Sequence, residues 1–315
     1  MKHYVALFFV LVLLAAGCFG KDKNEGDQPV VIGGYAIDRT LNDFDYDHDL
    51  VITLAEDESK DLSGIEQLPE AQIKQLFLTL KLDAKKVDLT PLRHLQHLEY
   101  VSLSGEGLTM IPDFSSSPSI LHLEIWDSNL ASLDGIETMP SLTYLQIDSN
   151  GEHLSDISTL RHLKNLKYLF LYSSPMNLDF AVLKYLPALH ELLAGGDVDL
   201  RGISQLKSLR ILSLQASGGS IANVEEIGRM PWLKELSLND SIASIEFLAS
   251  NTNLEVLEIW VDSNREDYDG VSLPLDVSPL KNLTNLRYLA LRGFDLQNAE
   301  GLDELPNLEY FNTDP

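Results

Sequence analysis

One pattern restricts the fold of this chain more than anything else in it. From residue 73 onward the order L-x-x-L-x-L, then a polar turn, then apolar residues at steps of three, is copied again and again. Copies begin at Ile73, Leu98, Ile120, Leu142, Leu166, Leu189, Leu209, Leu233, Leu254 and Leu286, with a partial one at Leu308. Their spacings run 25, 22, 22, 24, 23, 20, 24, 21, 32 and 22 residues. A looser copy near Leu50 keeps the beat with Ile52, Leu54, Leu62, Ile65 and Leu68.

The spacing dictates local structure. The last two leucines of each copy are two residues apart and so face one side of a short strand, while the residues between them face the other. Apolar residues at steps of three, such as Ile157, Leu160 and Leu163, suit a 3₁₀ turn or a short helix that returns the chain. A single copy cannot bury its leucines, but stacked copies can. The expected architecture is an α/β repeat solenoid, the leucine-rich-repeat horseshoe, with a concave parallel β-sheet and convex 3₁₀ or short-helix turns.

Within that class the sequence resembles the bacterial internalin-like group with 22-residue repeats. Leu154-Ser155-Asp156-Ile157-Ser158-Thr159-Leu160-Arg161-His162-Leu163-Lys164-Asn165-Leu166 and Asp276-Val277-Ser278-Pro279-Leu280-Lys281-Asn282-Leu283 carry the resemblance. It implies a surface-displayed binder whose concave sheet meets a protein ligand. The asparagine that in such repeats follows the strand stands cleanly only at Asn150.

The N-terminus has its own logic. Lys2, the apolar run Val5 to Ala16 and the small residues Ala15, Ala16 and Gly17 have the order of a secretory signal. The run falls short of the ~20 apolar residues of a membrane span. Ala15-Ala16-Gly17-Cys18 resembles a bacterial lipoprotein signal, which implies that Cys18, the single cysteine of the chain, is lipidated and anchors the protein. An ordinary signal peptide with an incidental cysteine is the alternative. These readings divide the chain into a signal peptide at 1–17, a lipidated cysteine and linker at 18–29, an N-terminal cap with an irregular repeat at 30–72, and the repeats at 73–315. They place it in a bacterial cell envelope, lipid-anchored and extracytoplasmic.

The concave face is read from the third, fifth and seventh places of each copy. Of these thirty slots, nine hold aromatics: Phe77, Tyr100, Trp126, Tyr144, Tyr168, Phe170, Tyr172, Trp260 and Tyr288. The composition would place only about two or three there. Strand propensity enriches aromatics without any ligand, yet seven of the nine fall in the copies from 73 to 166, and the three from 189 to 233 have none. The facing charges are Glu124, Asp148, Glu191, Glu235 and Glu258 against Arg292. Tyr and Trp concentrate at binding hot spots, so the contact patch is expected at Trp126, Tyr144, Asp148, Tyr168, Phe170 and Tyr172. A basic or neutral polypeptide fits it; carbohydrate stacking is the alternative.

Other classes are weaker. The net charge of −25 argues against nucleic acid, whose phosphates need Lys and Arg. The acidic stretch 262–270 invites calcium, but Asp267 stands where the calcium-loop template wants glycine and Leu273 where it wants glutamate. Asp43, Asp45, Asp47 and Asp49 alternate as one wet strand face rather than as a metal site. No catalytic fingerprint is present and no site converges, so neither an enzyme nor a cofactor is expected. A monomer is expected too, unless Leu302, Leu305, Leu308 and Phe311 let the last repeat stack on a second copy.

Overall fold

The computed structural model describes residues 30–32, 35–37, 49–54, 62–68, 73–81, 87–148, 154–172, 178–215, 220–239, 242–261 and 272–313. The signal and linker segments with Cys18, the aspartates at 43, 45 and 47, Asn150 and the acidic stretch 262–270 lie outside them.

Each L-x-L becomes a strand of three to six residues, and the strands stack in chain order into one twelve-stranded sheet. It runs from Asp49–Leu54 through Gln75–Leu80, Tyr100–Ser104, His122–Trp126, Tyr144–Asp148, Tyr168–Tyr172, Glu191–Gly195, Ile211–Gln215, Glu235–Asn239, Val256–Trp260 and Tyr288–Arg292 to Tyr310–Asn312. Every pairing is parallel and in register, so that Leu123, Leu145, Leu169 and Leu192 form one line. All four are fully buried. The looser copy is part of this sheet, because Asp49–Leu54 pairs with Gln75–Leu80 over six residues. Val30–Ile32 and Tyr35–Ile37 form a separate antiparallel pair.

The returns are 3₁₀ turns, among them Thr90–His94, Ser158–His162, Val224–Arg229, Glu246–Ser250 and Ser278–Asn282. Steps of three favour this choice, since i and i+3 eclipse in a 3₁₀ turn and Ile157, Leu160 and Leu163 then all point inward. Several turns begin with an aspartate that accepts the N–H two residues on, at 2.7 Å from Asp156 to Ser158 and 2.9 Å from Asp276 to Ser278. These bonds hold both carboxyls below their ordinary range.

Asparagine holds successive units together from both ends of the strand: after it, Asn129 Nδ2 donates to Glu106 O at 2.7 Å, and before it three more do the same. Asn165 Nδ2 donates to Pro140 O at 3.1 Å, Asn285 to Thr252 O at 2.7 Å and Asn307 to Thr284 O at 2.8 Å. Each side chain thus supplies the turn carbonyl of the preceding repeat with a donor that no backbone N–H provides there. Asn251 does the same in the core: it is fully buried and donates to Ile227 O and Met230 O.

Candidate functional site

The strand register converts sequence slots into three columns on the open face. The first reads Gln75, Tyr100, His122, Tyr144, Tyr168, Glu191. The second reads Phe77, Ser102, Glu124, Gln146, Phe170, Leu193, and the third Thr79, Ser104, Trp126, Asp148, Tyr172. Neighbouring rungs lie ~4.8 Å apart, which brings rings on successive strands into contact.

The rings form one connected set. Phe77 lies 5.3 Å from Tyr100, Tyr100 stacks on His122 at 4.6 Å, and His122 stacks on Tyr144 at 3.8 Å with planes 10° apart. Tyr144 then meets Tyr168 at 6.3 Å and Phe170 at 5.2 Å, and Phe170 lies parallel to Tyr172 at 6.3 Å. Six of the nine predicted aromatics are joined in this way. Trp126 is tied to them through Glu124 instead. Trp260 and Tyr288 stand apart, beyond the three ring-free strands from 191 to 239, and Tyr288 stacks on Tyr310 at 4.4 Å.

Glu124 organises the patch. Its carboxylate accepts from His122 Nε2 at 2.9 Å and from Trp126 Nε1 at 3.1 Å, and the Tyr100 hydroxyl also bonds to it. Its side chain is only 17% exposed. Burial pushes the carboxyl up, yet the bonds from His122, Tyr100 and Trp126 outweigh it and hold Glu124 below its ordinary value. Tyr100 and Tyr144 are pushed well above the usual phenol range, by burial first and then by the Glu124 charge. Tyr144 donates to Gln146 Oε1 at 2.7 Å.

Asp148 is the opposite case. It sits on the strand between Trp126 and Tyr172, and burial first, then the Asp127 charge, raises its pKa. Glu191 is raised likewise, by burial and by Glu235, although His190 opposes the shift. Neither carboxylate has a side-chain donor among the described residues.

These opposed shifts give a pH prediction. A depressed carboxyl stabilises the fold above its unfolded-state pKa and loses that contribution as pH falls through the folded value. The Trp126 indole resonance should therefore titrate with a midpoint below the ordinary glutamate value of 4.5 and stop titrating in Glu124→Gln. Asp148 and Glu191 run the other way, since their charged forms weaken the fold and protonation on acidification relieves it. A Trp126 midpoint at or above 4.5 would remove Glu124 from its organising role.

His122 and Gln146 are the residues that the aromatic slot count passes over. The signal is in the sequence: His122 is 22 residues after Tyr100 and 22 before Tyr144, in the same slot. An imidazole completes a run of stacked rings as well as a phenol does.

Fold and face together define a leucine-rich-repeat solenoid with a continuous aromatic and acidic patch on its concave sheet. Among the described residues, no three His, Cys, Asp or Glu side chains gather as a metal site, and no helix is long and apolar enough to cross a membrane. No family model matches the chain. Among solved structures it is similar to an internalin from Listeria monocytogenes, with 20% identity over 85% of this chain and 82% of that one and a TM-score of 0.58. It is also similar to a leucine-rich-repeat protein of Leptospira interrogans, with 19% identity over 80% and 75% of the two chains and a TM-score of 0.52. At these identities the likeness shows the shared fold.

Proposed function

We propose that this chain is a lipid-anchored, extracytoplasmic protein of a bacterial cell envelope that binds a protein partner through its concave face. The observation that carries the reading is the connected ring set from Phe77 to Tyr172 on an open sheet, with Trp126 held beside it. Rigid rings offer large contact area at little entropic cost, and such residues supply most of the energy at protein interfaces. Asp148 and Glu191, half-buried and with no side-chain donor among the described residues, favour a partner that brings Lys or Arg to them. The anchor rests on the resemblance around Cys18, and the extracytoplasmic placing on that same signal together with the likeness to an internalin. No catalytic role is part of this reading.

The test is photo-crosslinking on living cells from position 144 or 170, with position 237 as the ring-free control on the same face. A specific protein adduct from the first two and none from the third is expected. No adduct from either, with the protein displayed at the surface, would turn the reading to a glycan ligand.

A further inference from the structure

The residue just before each concave strand belongs to a fourth line, along the edge where the strands begin. Its carbonyl accepts the first N–H of the next strand, as Lys167 O does from Glu191, His190 O from Ile211, Arg210 O from Glu235 and Lys234 O from Val256, at 3.0 to 3.2 Å. Elsewhere on this line each cation pairs with a carboxylate one rung on. Lys74 meets Glu99 at 2.8 Å, Arg287 meets Glu309 at 2.7 Å, and Lys234 meets Glu255. The habit breaks in the middle: Lys167 and Arg210 form no ion pair among the described residues.

Three more cations on the same flank share that condition. Lys164 Nζ donates to Tyr185 O at 3.0 Å and lies 5.5 Å from the Tyr185 ring, which Lys184 approaches at 5.0 Å. Lys207 Nζ donates to Ser204 O at 2.8 Å and stands 3.9 Å from the Trp232 ring. Arg210 Nη1 is fixed by Lys207 O and Leu209 O at 2.8 and 2.9 Å. In a chain with 48 acidic and 23 basic side chains, five neighbouring cations without a carboxylate form a distinct basic strip. Backbone carbonyls and ring faces hold four of its heads in place, so an anionic ligand need not order them.

We propose that this flank, across the repeats that begin at 142, 166, 189 and 209, is a second docking strip, for a linear acidic polysaccharide. The strip is narrow, because Glu191 and Glu235 border it one residue away on the concave side. A bilayer or a broad protein face laid over it would press on those carboxylates, whereas a single extended polymer follows the line of rungs. Tyr185, 48% exposed, supplies a face on which a sugar ring stacks. The overall negative charge does not forbid the contact: fields are screened beyond ~8 Å at physiological salt, and four rungs span ~14 Å.

The test is surface plasmon resonance of the full-length protein on an immobilised heparin octasaccharide at physiological salt. Saturable binding is expected, weakened about tenfold or more by Lys167→Glu with Arg210→Glu and unchanged by Lys281→Glu on a distant turn. Trp126→Ala with Phe170→Ala should leave it intact, which separates this strip from the concave patch. No binding, or equal binding by the reversal variant, would overturn the proposal. So would tighter binding of oligo-dT or of phosphatidylglycerol vesicles. A mass by light scattering that grows with concentration and reverts to monomer in the reversal variant would assign the strip to a second copy instead.

Discussion

Gly105→Ala is expected to lower the stability of the N-terminal repeats by about 4 kcal/mol. Gly105 follows the strand Tyr100–Ser104 with φ +103, and an added Cβ would lie 2.3 Å from the Leu80 carbonyl oxygen and 2.9 Å from its carbon. The obstacle is the backbone of the preceding repeat, so no rotamer change relieves it. Two costs add: the left-handed strain of an ordinary residue, ~1–2 kcal/mol, and overpacking of ~1–3 kcal/mol where the units must part. They fall on bonds that join three repeats, because Gly107 N donates to Leu80 O and Gly105 N to Trp126 O. Solenoid stability is a sum of unit and nearest-neighbour terms, so a urea titration followed by far-UV dichroism should split into two steps. Gly301 is the control, with φ +80 and nothing within 4 Å of its added Cβ. Gly301→Ala should cost only about 1 kcal/mol. A single unshifted transition for Gly105→Ala would mean that the repeats can separate at that point without losing packing.

The fold was legible because a period of two inside a period near twenty-two allows few solutions. Leu169 and Leu171 had to be buried and Phe170 had to face the other side of the sheet, and they do: both leucines are buried and Phe170 is half-buried. The site was legible only as a set of slots. The repeat says which residue faces out, but not that Glu124 gathers donors from two residues before and two after it on its own strand and from the strand before, nor that His122 stacks between two tyrosines. Those depend on side-chain reach across rungs, which no single copy contains. Asparagine shows the same limit. The place after the strand points to Asn150, while the bonds that join described repeats come from Asn165, Asn285 and Asn307 before the strand and from Asn129 three residues past one. Counting also merged what space separates, since Trp260 and Tyr288 share slots with the patch but lie several rungs beyond it.

Replacing Trp126 and Phe170 together by alanine is expected to weaken binding of the crosslinked partner by about 4 kcal/mol, roughly a thousandfold. Each is argued as a hot spot of about 2 kcal/mol. Phe170 lies between Tyr144 and Tyr172 on the crowded middle of the patch, so its removal opens a hole that water fills on both faces. Trp126 is held by its bond to Glu124, so its indole is presented without ordering cost and its loss also frees an acceptor on Glu124. The two sit on strands separated by Tyr144–Asp148 and make no ring contact with each other, which favours near-additive effects. Neither is part of the leucine core, so the melting temperature should move little while affinity, read by isothermal titration, falls. Trp260→Ala marks the extent of the interface. A small loss there confines the partner to the N-terminal ring set, whereas a loss as large as that of Trp126 would extend the contact across the ring-free strands, along the column that holds Gln215 and Asn239. Unchanged affinity in the double variant would return the stacked rings to a packing role and leave Asp148 and Glu191 as half-buried carboxylates kept for some other reason.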